Sequence, residues 1–206
     1  MTRVAIIDYG MCNLDSVRRA VEECGADAMV TGNASDLDDA THVILPGVGS
    51  FSDAMTQLHQ RGLVPVLRAL PRDRSVPFLG ICLGMQLMAS HGDEGGATEG
   101  LGLIDARVKR LVPDAPGVRV PHVGWNEVTP SQTTALFHGI APGRDFYFVH
   151  SYHVACATDD NALASTPYCG GFTSAVAANE RVFGVQFHPE KSQRAGFALL
   201  RNFIAL

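Results

Sequence analysis

The stretch "PFLGICLGMQLMAS", residues 77 to 90, decides how the chain is read. A short apolar run enters Gly80-Ile81-Cys82-Leu83-Gly84, and a helix-like run leaves it. This is the G-x-nucleophile-x-G spacing of a nucleophile elbow, a tight strand-to-helix turn that lifts a reactive atom clear of a sheet. The two glycines remove Cβ atoms that would clash in so sharp a turn. Cys82 is expected at a helix N-terminus, where unpaired N–H groups and the positive end of the dipole favour a thiolate. The N–H of Leu83 is expected to face the same space, ready to bind an oxyanion. A buried cysteine at an ordinary strand-helix junction is the competing reading, and the motif alone does not separate the two.

Upstream, "RVAIIDYG" (3–10) is an apolar strand closed by glycine, and "NLDSVRRAVEECG" (13–25) repeats apolar residues at helical spacing. "DAMVTG" (27–32) and "HVILPGVG" (42–49) are two more strands, and "FSDAMTQLHQRGLVPVLRAL" (51–70) is helical, punctuated by Gly62 and Pro65. The first half thus alternates strands and helices, which predicts an α/β fold with a central, mostly parallel sheet flanked by helices. Downstream, "ARVKRLV", "RVPHVGWNEV", "DFYFVHSYHVA" and "FTSAVAANERVFGVQFHP" make a β-rich C-terminal half, and "SQRAGFALLRNFIAL" reads as a closing helix. "SHGDEGGATEG" (90–100) reads as an acidic surface loop without packing capacity, with Asp93, Glu94 and Glu99 solvated. One domain over residues 1–206 is expected.

A thiolate nucleophile needs a proton carrier. "GVQFHPEKS" (184–192) ends an apolar strand with His188, Pro189 and Glu190. Residues two apart in an extended segment project to one side, so the Glu190 carboxylate can hold one ring nitrogen of His188 and turn the other toward a thiol. "LPGVGSF" (45–51) runs an apolar strand into Pro46-Gly47-Val48-Gly49, a loop whose backbone N–H groups can approach a ligand. Open α/β sheets bind ligands at this edge.

The bulk numbers narrow the partners. With 16 Lys+Arg against 21 Asp+Glu, a net charge of −5 and no basic block, nothing marks a nucleic-acid or anionic-membrane surface. No apolar run reaches membrane-spanning length, and Asp8 interrupts the N-terminal run, so a cytoplasmic protein is expected. Five cysteines without a C-x-x-C pair indicate neither a disulfide framework nor a zinc site. His150 and His153, at odd separation on one expected strand, point to opposite faces and read poorly as metal ligands. Neither a metal nor another cofactor is expected.

The P-G-V-G strand, "GICLGMQ" and "FHPEKS", in that order, resemble the class I (triad-type) glutamine amidotransferases, whose fold is flavodoxin-like. Adding "DYGMCNLDSV", "VPHVGWN" and "YFVHSY", the chain is similar, from about residue 4 onward, to the glutaminase subunits of imidazole glycerol phosphate synthases. That resemblance implies that Cys82 attacks the glutamine amide, His188 shuttles the proton and Glu190 orients His188. It implies an oxyanion hole from Gly47, Val48, Gly49 and Leu83, with Gln86, Ser151 and Tyr152 holding glutamine. It further implies a heterodimer with a cyclase subunit, which is a (β/α)8 barrel receiving ammonia through a buried channel, and places Asn13, Trp125 and Lys191 on the facing surface. Where the family carries glycine, this chain has Cys12, which is strained if that position needs positive φ. A glutaminase for another ammonia-dependent synthase, or a noncatalytic partner-binding subunit, are the alternatives.

Overall fold

A computed structural model describes residues 2–206. The first half runs β1 (Arg3–Ile7), α1 (Leu14–Glu23), β2 (Asp27–Thr31), β3 (His42–Leu45), α2 (Phe51–Gln60), α3 (Leu63–Asp73), β4 (Phe78–Ile81) and α4 (Leu83–Leu87). Then come β5 (Ala89–Gly92), β6 (Thr98–Glu99), β7 (Ile104–Arg110), β8 (His122–Pro130), β9 (Arg144–His150) and β10 (Tyr152–Cys156). β11 (Ala162–Thr166), β12 (Phe172–Asn179), β13 (Val182–Val185) and α5 (Gln193–Ile204) close the chain.

Five parallel strands lie side by side in the order β2-β1-β3-β4-β13, and an antiparallel extension continues through β12, β10 and β7. Strand alternation explains the two-sided core. Val4 and Ile6 of β1 pack on the face shared with Val17 and Val21 of α1 and Leu199 and Phe203 of α5. Ala5 and Ile7 face the other way, toward Met55 and Leu58 of α2 and Leu67 of α3. The expected α/β layering with a β-rich second half is the observed one.

Gly62, at φ 66°, divides the 51–70 stretch into α2 and α3, at the first of the two punctuation points the sequence marks. Pro65 falls in the first turn of α3, where its missing N–H has no partner to lose. The 90–100 segment departs from the reading as an unpacked loop. β5 pairs with β6 and β7, and a Cβ on Gly92 would sit 2.6 Å from the Phe51 ring. Arg107 grips Asp93 with two nitrogens, and Arg68 reaches Glu99. Glycines here permit close packing, a use composition alone does not distinguish from flexibility.

The topology brings three chain segments to one edge. In the sheet Leu45 pairs with Gly80, and Ile81 with Val185, so the residues following β3, β4 and β13 leave together.

Candidate active site

Cys82 stands between β4 and α4 at φ 55°, ψ −111°, a backbone that non-glycine residues seldom adopt. Its N–H is tied to the Val185 carbonyl at 2.8 Å, which fixes the turn to the neighbouring strand. Both elbow glycines are sterically required. A Cβ on Gly80 would lie 2.7 Å from the Gly84 oxygen, and one on Gly84 would run into the Leu45 carbonyl. The following helix is shorter than a dipole argument needs, since α4 has five residues. The groups that touch the sulfur are instead Gln186 Nε2 at 3.7 Å and the Val149 carbonyl at 3.9 Å; the N–H of Leu83, as the first helical residue, has no intrahelical acceptor.

His188 and Glu190 meet, but through a turn and not the extended segment that the two-residue spacing assumes. His188 is extended at φ −102°, and Pro189–Lys191 forms a 3-10 turn that brings Glu190 Oε1 to 2.8 Å from His188 Nδ1. The two side chains are 4% and 1% exposed. Tyr147 O accepts the His188 N–H at 2.9 Å, and Ser192 Oγ donates to the His188 carbonyl at 2.6 Å. With Nδ1 spent on the carboxylate, Nε2 is buried without a hydrogen-bond partner among the described residues, in a side chain that shares the cavity with Cys82. Burial by itself disfavours the imidazolium, but the sulfur on one side and Glu190 on the other outweigh it and push His188 up to about 10. The arrangement sets an imidazolium beside the Cys82 sulfur.

Cys82 and His188 open on a cavity of about 270 Å³. Its lining includes Val48, Gly49, Leu83, Gln86, Ser151 and Tyr152, all named from the sequence, together with Glu94, Val149 and His150. A larger groove of about 650 Å³ runs beside Trp125 and Gln193 but contains neither Cys82 nor His188. Gly47 lies outside the cavity lining. It is packed beneath Tyr9, whose hydroxyl a Cβ there would strike. Val48 borders the cavity, but its N–H donates to Met11 O at 2.9 Å. Gln86 is 4% exposed and gives N–H bonds to Tyr152 O and Gln186 Oε1, leaving its own oxygen for a ligand.

Composition puts Glu94 on a solvated surface, yet it lines the cavity and accepts the Phe51 N–H at 3.1 Å at the start of α2. Partial burial raises its carboxyl above the ordinary range. Only the fold of β5 against β7 carries it there, and no local motif signals it. His150 and His153 stand on different strands, β9 and β10, and not on two faces of one. His150 Nδ1 donates to Tyr152 O at 2.8 Å, and its Nε2 meets His122 Nδ1 at 3.1 Å. Cys12 has no positive φ, so the expected strain does not arise; its sulfur lies 3.5 Å from Ile7 O. Burial pushes the thiols of Cys12 and Cys156 up to about 11.

Of the surface residues, Asn13 is exposed at the start of α1, which packs on the Pro189–Lys191 turn. Trp125 is 48% exposed and meets Tyr147 edge-on at 6.0 Å between centroids, and Lys191 Nζ stands 5.8 Å over the same ring. Tyr147 in turn lies 6.5 Å from the His188 ring. No helix of the described residues is long and apolar enough to cross a membrane.

The chain matches a family profile described as glutamine amidotransferase class-I over residues 5–206. It is 48% identical to the imidazole glycerol phosphate synthase subunit HisH of Moorella thermoacetica, over 98% of this chain and 94% of that one. It is 46% identical to the protein of the same name from Xanthomonas euvesicatoria pv. vesicatoria, over 100% of this chain and 98% of that one. Among solved structures, PurLQS from Thermotoga maritima superposes with a TM-score of 0.78 at 19% identity, covering 99% of this chain and 98% of that chain. A putative GMP synthase protein from Thermoplasma acidophilum superposes at 0.75 with 22% identity, covering 100% and 93%. At such identities these two speak for the fold.

Proposed function

The chain belongs to the class-I glutamine amidotransferase family, and on that premise we propose that it is the glutaminase subunit of an imidazole glycerol phosphate synthase, acting in histidine biosynthesis. The observation that carries the chemistry is the buried His188–Glu190 pair beside Cys82 at one end of the parallel sheet.

The Cys82 thiolate attacks the side-chain carbonyl carbon of glutamine, and the oxyanion is met by the Leu83 N–H and by the Val48 N–H once it leaves Met11. The His188 imidazolium protonates the departing nitrogen, ammonia leaves, and a glutamyl thioester remains. Neutral His188 then takes a proton from water, whose oxygen attacks the thioester; the C–S bond breaks and glutamate is released. Glu190 holds the ring and compensates its charge throughout. Glu94 supplies the negative charge that suits the α-ammonium of glutamine, with the Gln86 oxygen and the Ser151–Tyr152 segment completing the pocket.

Ammonia is a nucleophile only while unprotonated, so its delivery favours a sealed path into a second polypeptide. We assign the cyclase to that role, in a cytoplasmic heterodimer, with this chain as a single amidotransferase domain. Support comes from the exposed Trp125 and Lys191 flanking Tyr147, and from the apolar Val48, Val123 and Val149 exposed near the cavity mouth. The test is glutamate release from glutamine by the chain alone and with a histidine-pathway cyclase and its nucleotide substrate. Strong stimulation that disappears in Cys82→Ala is expected. High release indifferent to the cyclase would assign the chain to another synthase, and none under either condition would leave a noncatalytic subunit.

A further inference from the structure

Beyond the triad, a chain of amide hydrogen bonds ends on the nucleophile. Gln186, just after β13, is 0% exposed. Its Nε2 donates to Cys82 Sγ at 3.7 Å, a normal length for a bond to sulfur, and its Oε1 accepts from Gln86 Nε2 at 3.0 Å. Gln86 Nε2 donates in addition to the Tyr152 carbonyl at 2.9 Å. That carbonyl sets the direction of the chain. It can only accept, so Gln86 must present its NH2 group there, and the second N–H of that group is aimed at Gln186. Gln186 must then accept with its oxygen and donate with its nitrogen. Reversing either amide would set oxygen against oxygen, or oxygen against the lone pairs of the sulfur.

A fully buried amide is costly, and an apolar side chain of the same size would fill this space without the cost. A bond to a charged acceptor is worth more than one to a neutral acceptor, and here the acceptor that becomes charged is the sulfur. We propose that Gln186 is a catalytic residue whose amide N–H, aimed by Gln86, donates to the Cys82 sulfur and holds it as the thiolate. This rests on the reading of Cys82 as the nucleophile. When the sulfur attacks, its electron pair becomes the C–S bond and the N–H loses its charged acceptor. When the thioester is hydrolysed, that pair returns to sulfur, and the same N–H is in place to receive it. Gln86, which acts on Gln186, is on this branch a positioning residue.

The test follows alkylation of Cys82 by iodoacetamide in the full-length chain, read by mass spectrometry of the Cys82 peptide, from about pH 5 to about pH 10. Gln186→Met keeps the volume and removes the donor. Thiolate becomes scarcer but each one more nucleophilic, since nucleophilicity rises with basicity with a coefficient of about 0.4–0.5. For an upward move of about one pH unit, alkylation is about threefold slower on the acid side and about threefold faster on the alkaline side, so the two profiles cross. A merely loosened pocket shifts rates in one direction at every pH. Gln186→Glu keeps an oxygen for Gln86 but offers the sulfur an acceptor in place of a donor, and is expected to move the profile further. Profiles of both variants that superimpose on wild type would overturn the role of Gln186. Glutaminase activity surviving in Cys82→Ala would instead overturn the underlying nucleophile, so the two failures are separable.

Discussion

The N–H of Val48 is held by the carbonyl of Met11 at 2.9 Å, although Val48 itself borders the cavity that contains Cys82. In this conformation the oxyanion of an attacked amide is offered the Leu83 N–H but not that of Val48. Removing one such donor typically slows acyl transfer by about 10²–10³. We expect glutamate release by the chain alone to lie at least about a hundredfold below that of the complex with its acceptor-loaded partner, for want of that donor. Steady-state glutamate release measures this, and a ratio near unity would mean that the Val48 N–H is not the missing group.

Glu94 is expected to act on binding more than on chemistry. Glu94→Gln retains an oxygen for the Phe51 N–H and loses the charge that faces the cavity. A hydrogen bond to a charged group is worth about 1.5–3 kcal/mol, so KM for glutamine should rise roughly tenfold to a hundredfold with kcat little changed. A fall in kcat at constant KM would place Glu94 in the chemistry.

The His122–His150 pair predicts acid sensitivity. Burial pushes His122 down to about 4 and His150 down to about 3. Below the ordinary histidine value of about 6.5, the unfolded chain takes up protons that the folded chain refuses until about pH 4. These two groups therefore leave stability level above about pH 6.5 and lower it as pH falls toward about 4, with a slope of about one proton each. Urea midpoints at several pH values in this window test the sign. His122→Phe, whose ring suits a site stacked between Tyr168 and Phe148, should flatten the decline.

Trp125→Ala should spare the chain and weaken the complex. The indole is 48% exposed, so its loss opens no core cavity. Aromatic anchors at interfaces cost about 2 kcal/mol or more when truncated, about thirtyfold in affinity for the partner. Titration of the partner subunit, with thermal unfolding of the chain as the control, separates the two effects.

Much of the site is legible in the sequence because its geometry is local. The elbow follows from two glycines whose Cβ atoms the turn cannot hold; the His188–Glu190 pairing is legible from their closeness in sequence, although a 3-10 turn and not an extended two-residue repeat makes the contact. Alternation of Val4 and Ile6 with Ala5 and Ile7 marks a strand covered on both faces. The length of α4 is less legible, and with it the weight given to a helix dipole, because an apolar run reads alike as helix or strand.

Short-range constraints are thus written along the chain: which segments are strands or helices, where the backbone turns sharply, and which side chains two residues apart share a face. Contacts between distant segments exist only in the packed fold. Gln86 meets Gln186 across 100 positions, Glu94 reaches the cavity through the pairing of β5 with β7, and the Val48 N–H turns to Met11. A hydrogen bond between such segments depends on direction as well as distance. Direction is set by how strands and loops register against one another once packed, which no local run of residues encodes.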